Sequence, residues 1–139
     1  MKVKKLHPNA VIPKRAHPSD AGLDLVSIEQ VEIPPLKRAV IRTGIAIELP
    51  SNSAGLIWPR SGMAVRGGIN VLAGVVDAAF RGEIGVVLHN TDPYSPYTVN
   101  AGDKVAQLLV QQVMLVDCVE VENLGDTARG EGGFGSTGQ

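Results

Sequence analysis

The chain has 139 residues, of which 44% are hydrophobic and 4% aromatic, and its formal net charge is −1. That length is sufficient for one domain with its own core, and the scarcity of aromatic residues predicts an aliphatic core. A charge so close to neutral argues against binding a nucleic acid polymer by counterion release, and no apolar run reaches the length of a membrane-spanning helix. We therefore expect a domain that binds neither nucleic acid polymers nor membranes.

The N-terminal segment and the single cysteine bear on the compartment in which the protein works. Residues 1–15 are basic but lack the apolar run of a signal peptide. Cys118 has no second cysteine to pair with and lies among valines, so we predict a buried, inert thiol. These features are typical of a cytoplasmic protein, or of one in the host-cell cytoplasm if the source is viral.

Glycines and prolines, 16 and 9 in number, divide the chain into short runs rich in valine and isoleucine. Such runs favour β-strands. In the first run Ile41, Thr43, Ile45 and Ile47 alternate with other residues, which places them on one face of a strand. We predict strands at residues 39–49, 55–58, 84–88 and 113–121, and a short helical turn at residues 61–66.

Residues 104–116 are ambiguous, because the spacing of their apolar residues also fits a helix. We predict a strand there, since the neighbouring elements are strands and Gly102 and Asp103 form a turn signal before it. Many short strands with regular turn signals predict an all-β sandwich, barrel or jelly roll. The predicted body spans residues 1–121, and a flexible glycine-rich arm follows at residues 122–139.

Two segments in the first half of the chain have the composition of a binding site. Residues 20–25 place Asp20 and Asp24 on either side of a glycine, a pattern that also occurs in ordinary turns. In residues 59–64, Arg60 and Ser61 follow a proline and open a helical turn whose free N–H groups suit an anion. The alternative for Ser61 is a helix N-cap.

Two segments in the second half have similar character. Asp77 ends an apolar run and precedes a turn, so it is either a turn aspartate or a carboxylate that orients and deprotonates a water. In residues 101–107, Asp103 and Lys104 form either a solvated turn or part of a site. Gln107 lies among apolar residues and needs a hydrogen-bonding partner if it is buried.

The last segment, residues 129–138, contains five glycines, one arginine, one phenylalanine and two hydroxyl residues. Glycine-rich termini are usually disordered tails without function. Arg129, however, can form paired hydrogen bonds to phosphate, and Phe134 can stack on a base. The segment therefore has the groups needed for a lid that orders over a nucleotide.

These five segments, in this order and over residues 20–138, resemble the five motifs of the trimeric dUTP pyrophosphatases (dUTPases). The resemblance implies a distorted jelly roll of the β-clip type and a homotrimer with shared active sites at the subunit interfaces. It also implies Mg²⁺-assisted hydrolysis of dUTP to dUMP and pyrophosphate, which limits uracil in DNA and supplies dUMP for thymidylate synthesis.

The resemblance also assigns roles to individual residues. Asp77 matches the catalytic carboxylate that activates the attacking water, and Asp24 matches the acid that acts on the metal through a bound water. Gln107 matches the glutamine that reaches the α-phosphate, and Phe80 would lie under the deoxyribose. The remaining substrate-binding residues implied by the motifs are Arg60, Ser61, Gly62, Gly74, Val75, Val76, Gly85, Arg129, Phe134, Gly135, Ser136 and Thr137.

Two positions depart from the family pattern, and they bear on sugar discrimination. Phe80 stands where the family most often has tyrosine, so the ring is present without its hydroxyl, and Ala79 replaces a residue that is commonly acidic or glycine. The related deoxycytidine triphosphate deaminases use a glutamate shuttle at the place held here by Val87, which argues against deamination. The pattern also leaves open a catalytically silent nucleotide-binding module, although the intact set of motif residues argues against it, whereas a structural jelly roll leaves the five motifs unexplained.

Overall fold

The computed structural model describes residues 1–133, which form eleven strands and one short helix, α1 (Ser61–Gly67). Within that range, no helix has the length and apolarity needed to cross a membrane. The strands are β1 (Lys2–Lys5), β2 (Leu23–Val26), β3 (Val31–Ile33), β4 (Arg38–Arg42), β5 (Ile45–Glu48), β6 (Ser53–Trp58), β7 (Ile69–Leu72), β8 (Val75–Asp77), β9 (Gly85–Asn90), β10 (Tyr97–Val99) and β11 (Lys104–Gln112).

The strands form two larger sheets and two short ribbons, and all of their pairings are antiparallel. One sheet has the order β2-β11-β6-β8 and the other has the order β4-β9-β7, while β1 pairs with β5 and β10 with β3. Successive strands belong to different sheets, so the chain crosses repeatedly between layers, as it does in a jelly roll. The predicted all-β class is confirmed.

The core between the layers is aliphatic, as the composition predicts. Ile41, Thr43, Ile45 and Ile47 are all buried. The single strand predicted at residues 39–49 is wrong, because it is divided into β4 and β5, which belong to different sheets, so the four residues do not share one face of a strand. The division falls at Thr43, whose hydroxyl donates to the carbonyl of Ile84, and at Gly44, whose φ of +67° is left-handed.

Replacing Gly44 with alanine is expected to lower the free energy of unfolding by about 1–3 kcal/mol. A Cβ there would lie 2.9 Å from Cβ of His7 and 3.0 Å from Cβ of Ala10, in a backbone conformation that alanine rarely adopts. Urea denaturation at one fixed protein concentration measures the change. Gly125→Ala is the control, because nothing lies within 4 Å of the added Cβ. Equal stability of the two variants would contradict the expectation.

The ambiguous segment that begins at Lys104 is a strand, because β11 is held on both sides by β2 and β6. The strand predicted at residues 113–121 is wrong: β11 ends at Gln112 and residues 114–121 are exposed without regular structure. The apolar composition of this segment favours a strand, but it pairs with no strand in the described part of this chain. Cys118 is therefore exposed, and the predicted burial of its thiol is wrong.

Candidate active site

A polar cavity of about 390 Å³ lies where the end of β6 meets the start of α1. It brings together predicted site residues from three distant parts of the sequence. Those residues are Asp24, Arg60, Ser61, Gly62 and Gln107.

Strand register explains why these residues meet. In the β2-β11-β6 sheet, Gln107 lies opposite Asp24 on one side and opposite Trp58 on the other. Cross-strand neighbours of this kind share a face of the sheet. The amide of Gln107 donates to the carbonyl of Pro59 over 3.0 Å, which provides the partner that a half-buried amide needs. A Cβ at Gly22 would overlap Oε1 of Gln107, so the glycine allows the amide to occupy this position.

Asp24 is the centre of the charge network at this cavity. Its Oδ2 lies 2.7 Å from Nζ of Lys104, and its Oδ1 lies 3.4 Å from Nε of Arg60. The Arg60 guanidinium also donates to the carbonyl of Lys104 over 3.2 Å. Only 16% of the Asp24 side chain is exposed, so solvent screens these ion pairs less than it screens surface pairs.

A second carboxylate, Asp20, also lines the polar cavity. The backbone N–H of His17 donates to Oδ2 of Asp20 over 2.9 Å, and the ring of His17 lies 3.2 Å from the same oxygen. The backbone hydrogen bond, together with the ring, lowers the pKa of Asp20 despite the opposing effect of burial. Asp20 is therefore a carboxylate anion at neutral pH.

Helix α1 forms one wall of the polar cavity, and it begins without a side-chain cap. Arg60 occupies the N-cap position with extended backbone angles, and no side chain hydrogen-bonds to the free N–H groups of the first turn. Ser61 is the first helical residue, so the alternative that it serves as the N-cap is wrong. Its hydroxyl remains at the cavity surface together with the helix start.

A second, apolar cavity of about 230 Å³ lies between the ends of β7, β8 and β9. Predicted site residues also line it, namely Gly74, Val75, Val76, Asp77, Phe80 and Gly85. Asp77 is the last residue of β8 and is exposed, and its carbonyl accepts from the N–H of Phe80 over 3.0 Å in the following turn. Phe80 is 46% exposed, and its ring lies against Gly82, where a Cβ would be 2.5 Å from Cζ.

Gly74 fixes the start of this cavity wall. Its φ is +120°, and a Cβ would lie 2.7 Å from the carbonyl oxygen of Ile57, so only glycine fits. Its carbonyl accepts from the N–H of Ile57 over 2.7 Å. Residues 74–80 do not form a hairpin, because β8 pairs with β6 while β7 pairs with β9. The segment instead crosses between the two sheets, which leaves the cavity open between them.

Glu83 lines the apolar cavity and connects it to the division between β4 and β5. Its Oε2 accepts from the Arg42 guanidinium over 3.1 Å, and its Oε1 accepts from the N–H of Gly44 over 2.8 Å. Burial alone raises the pKa of Glu83, but these hydrogen bonds outweigh burial and hold the pKa below its usual value. Glu83 is therefore ionised and bound to the scaffold.

The two cavities share no lining residue. Asp77 lies opposite Ala54 on β6, whereas Gln107 lies opposite Trp58, four residues farther along the same strand. That separation is about 13 Å along β6, and β8 and β11 lie on opposite sides of β6, about 10 Å apart. Within one chain, the side chains of Asp77 and Gln107 are therefore too far apart to contact one small group.

The remaining predicted residues belong to the C-terminal arm. Arg129 is exposed in a turn, where its Nε donates to the carbonyl of Gly132 over 2.7 Å, and it lines neither cavity. Phe134, Gly135, Ser136 and Thr137 lie outside the described residues. Their roles stay predictions.

Sequence reasoning missed Arg66 in the polar cavity and Glu83 in the apolar one. Arg66 lies four residues after Gly62, which puts both on the same face of α1. That spacing was a usable signal. Trp58, which lies opposite Gln107 on β6, is 54% exposed.

The all-β fold carries a polar cavity lined by cations and a separate apolar cavity bordered by a carboxylate. This combination defines a protein that binds a phosphorylated apolar or aromatic ligand. The family model for dUTPase matches residues 8–138. A deoxyuridine 5′-triphosphate nucleotidohydrolase of Thermobifida fusca is 51% identical over 99% of this chain and 78% of its own length. One from Mycobacterium leprae is 50% identical over 98% of this chain and 93% of its own. The chain belongs to the dUTPase family.

Solved structures agree with this assignment. The dUTPase of Staphylococcus bacteriophage 80alpha, solved with dUpNHpp, superimposes with a TM-score of 0.94 at 29% identity, covering 99% of this chain and 98% of its own. A variant of the dUTPase from phage phi11 of S. aureus, described as coordinating a structural Mg(II) ion, gives a TM-score of 0.83 at 29% identity. It covers 88% of this chain and 96% of its own. The distorted jelly roll implied by the sequence is thereby confirmed.

Proposed function

We propose that this protein hydrolyses dUTP to dUMP and pyrophosphate, with the polar cavity binding the phosphates and the apolar cavity binding the nucleoside. The observation that carries the proposal is the convergence of Asp24, Arg60, Ser61, Gly62 and Gln107 in one cavity from three segments far apart in sequence. The named function of the relatives and the dUpNHpp bound by the phage enzyme support it.

The polar cavity suits a triphosphate in charge and in geometry. Arg60 provides a guanidinium that can form paired hydrogen bonds to phosphate oxygens. The uncapped start of α1 adds free N–H groups, and Ser61 adds a hydroxyl. The amide of Gln107 faces the same space and is assigned to the α-phosphate. Arg129 and Phe134 to Thr137 are assigned to closing over the bound nucleotide.

The apolar cavity suits a flat base and a deoxyribose. Gly74, Val75 and Val76 offer backbone groups to uracil, and Gly85 leaves the opposite wall without a side chain. Phe80 provides a ring for the sugar but no hydroxyl, so it offers no hydrogen-bonding partner to a ribose 2′-hydroxyl. Discrimination between dUTP and UTP then rests on this ring and on the width of the cavity.

Asp77 is assigned as the general base. Its carboxylate takes a proton from a water, the water oxygen forms a bond to the α-phosphorus, and the bond from the α-phosphorus to the bridging oxygen breaks. Pyrophosphate leaves with that oxygen, and dUMP remains. The exposed position of Asp77 at the end of β8 leaves its oxygens free for this task.

The residues of the polar cavity fit a magnesium ion that is held mainly by the substrate. Mg²⁺ keeps several waters and binds through one or two carboxylates plus phosphates. Asp20 and Asp24 line the cavity, and the described residues contain no cluster of three or more potential ligands. Both oxygens of Asp24 already contact cations, which favours contact with the ion through a water. When bound, the ion neutralises charge on the phosphates.

The separation of the two cavities supports a homotrimer with shared active sites. Asp77 of one copy must meet the polar cavity of another, since the two cannot meet within a chain. Between them on the same sheet face lies an apolar row formed by Leu109, Leu56 and Val75, and Val75 is 70% exposed. An exposed apolar strip of this kind marks a protein interface. The three-fold symmetry itself rests on the family resemblance.

The C-terminal arm and the compartment complete the proposal. Residues 122–139 are assigned as an arm that closes the site, with the body ending at residue 121. The exposure of residues 114–131 supports a segment that is separate from the body of its own chain. A cytoplasmic location is supported by the single Cys118, which cannot form a disulfide within the chain.

Removal of divalent metal is expected to abolish turnover and thereby tests the metal assignment. Pyrophosphate release from dUTP should fall to background with excess EDTA, because the phosphate charge is uncompensated without the ion. It should return when Mg²⁺ is restored.

The same assay with dCTP, dTTP and UTP should give little product. Binding of dUTP without hydrolysis would instead support the silent binding module, and ammonia released from dCTP would support a deaminase.

A further inference from the structure

We propose that Arg66 is a further substrate-binding residue, whose guanidinium binds the phosphates beyond the α-phosphate, the part that leaves as pyrophosphate. The inference rests on the proposed function, since it assumes that the polar cavity receives a nucleoside triphosphate. It adds a second arginine to the one, Arg60, that the sequence motif assigns to that cavity.

The guanidinium of Arg66 lies against the start of its own helix. Arg66 is in the last turn of α1, one helical turn after Gly62. A Cβ at Gly62 would lie 2.7 Å from Nη2 of Arg66 and 3.3 Å from Cζ. The missing side chain of Gly62 therefore provides the space that lets the guanidinium lie beside the cavity. This contact gives a physical reason for a glycine at position 62.

Arg66 is also the cation with uncommitted charge at this cavity. Arg60 and Lys104 are both paired with the Asp24 carboxylate. The Arg66 side chain forms no ion pair or hydrogen bond with any described residue. A guanidinium that faces a cavity without a protein acceptor is available to a ligand acceptor, and its planar fork matches a phosphate group.

Asp103, an acidic residue that lines a further cavity together with Arg66, already accepts a hydrogen bond. A cavity of about 230 Å³ on the other side of Arg66 is lined by Tyr97, Asp103 and Lys104. Asp103 accepts from the backbone N–H of Asn100 over 2.8 Å and is not within ion-pair distance of Arg66. Arg66 thus borders the polar cavity and this third cavity, but not the apolar cavity. Among residues 1–133, no acidic residue pairs with Arg66, as a purely structural role would require.

The distinction between the α-phosphate and the outer phosphates follows from the division of labour in the cavity. Gln107, on the β11 wall, is assigned to the α-phosphate, and it is neutral. The outer phosphates carry most of the negative charge of a triphosphate, so a free guanidinium gains most by binding there. A nucleotide without those phosphates should therefore be insensitive to Arg66.

Calorimetric titration of the full-length protein with dUpNHpp and with dUMP, both with Mg²⁺, tests the proposal. Arg66→Gln should weaken dUpNHpp binding by about 10- to 100-fold, the loss typical of a charge-assisted hydrogen bond, and leave dUMP binding within about twofold. Arg38→Gln is the matched control, since Arg38 is exposed on β4 and lines neither cavity.

Unchanged affinity of Arg66→Gln for dUpNHpp, or an equal loss for dUMP, would overturn the proposal. If Arg66→Gln does not fold, Arg66→Lys provides the same test, because lysine keeps the charge but lacks the fork. It should bind dUpNHpp several-fold more weakly, and normal affinity would count against the inference. Failure of the unaltered protein to bind dUpNHpp would contradict the proposed function itself, which separates the two outcomes.

Discussion

Replacing Asp77 with asparagine is expected to lower kcat for dUTP by about 10²- to 10⁴-fold, the range that a general base contributes. Asparagine has the shape of aspartate but cannot accept the proton from water. The fold should not change, because the Asp77 side chain is exposed and forms no hydrogen bond within the described structure. Affinity for dUpNHpp should change by less than about threefold, since Asp77 is assigned to the attacking water and not to a direct contact with the phosphates.

Steady-state pyrophosphate release and dUpNHpp titration measure the two quantities separately. Asp117→Asn is the matched control, because Asp117 is an exposed aspartate that lines neither cavity. It should retain normal kcat. Near-normal turnover by Asp77→Asn would show that the base assignment is wrong, whereas loss of both turnover and binding would point to a role for Asp77 in holding the nucleotide.

Mixing two inactive variants is expected to restore activity, because we propose that the two cavities of one site belong to different copies. Asp77→Asn removes the base, and the double variant Arg60→Gln/Gln107→Ala removes the phosphate contacts. In trimers that contain both chains, about a third of the sites should combine an intact Asp77 from one copy with an intact polar cavity from another. Each variant alone should be nearly inactive.

The measurement uses trimers that carry two different affinity tags, so that mixed assemblies are isolated before assay. Trimers mixed from two differently tagged Asp77→Asn chains are the control and should remain inactive. If verified mixed assemblies show no recovery, each site is contained within one chain, and the geometric separation of Asp77 from Gln107 would have to close by rearrangement. Absence of any assembly would contradict the trimer directly.

The sequence predicted those parts of the fold and site that depend on local pattern. Alternation identified Ile41, Thr43, Ile45 and Ile47 as buried, and motif composition identified residues that gather in the polar cavity. It could not predict that the residues opposite Asp77 and Gln107 lie four positions apart on β6, because strand register depends on pairing across the sheet.

Two other misses have physical causes of the same kind. Residues 113–121 have strand composition, but a strand needs a partner, and this chain provides none in its described part. The guanidinium of Arg66 occupies space that a Cβ at position 62 would fill, and composition alone does not reveal that space. In both cases the outcome is decided by what lies beside the residue in space.

Trp58 gives the protein an internal optical probe. It is the single tryptophan of the chain, it is half exposed, and it lies opposite Gln107 on the sheet face that carries the apolar row. Indole emission responds to the polarity around it, so all of the tryptophan fluorescence of this protein originates at the border between the polar cavity and the proposed interface. Association of subunits and entry of a nucleotide can therefore be followed in the unlabelled protein, without attaching any dye.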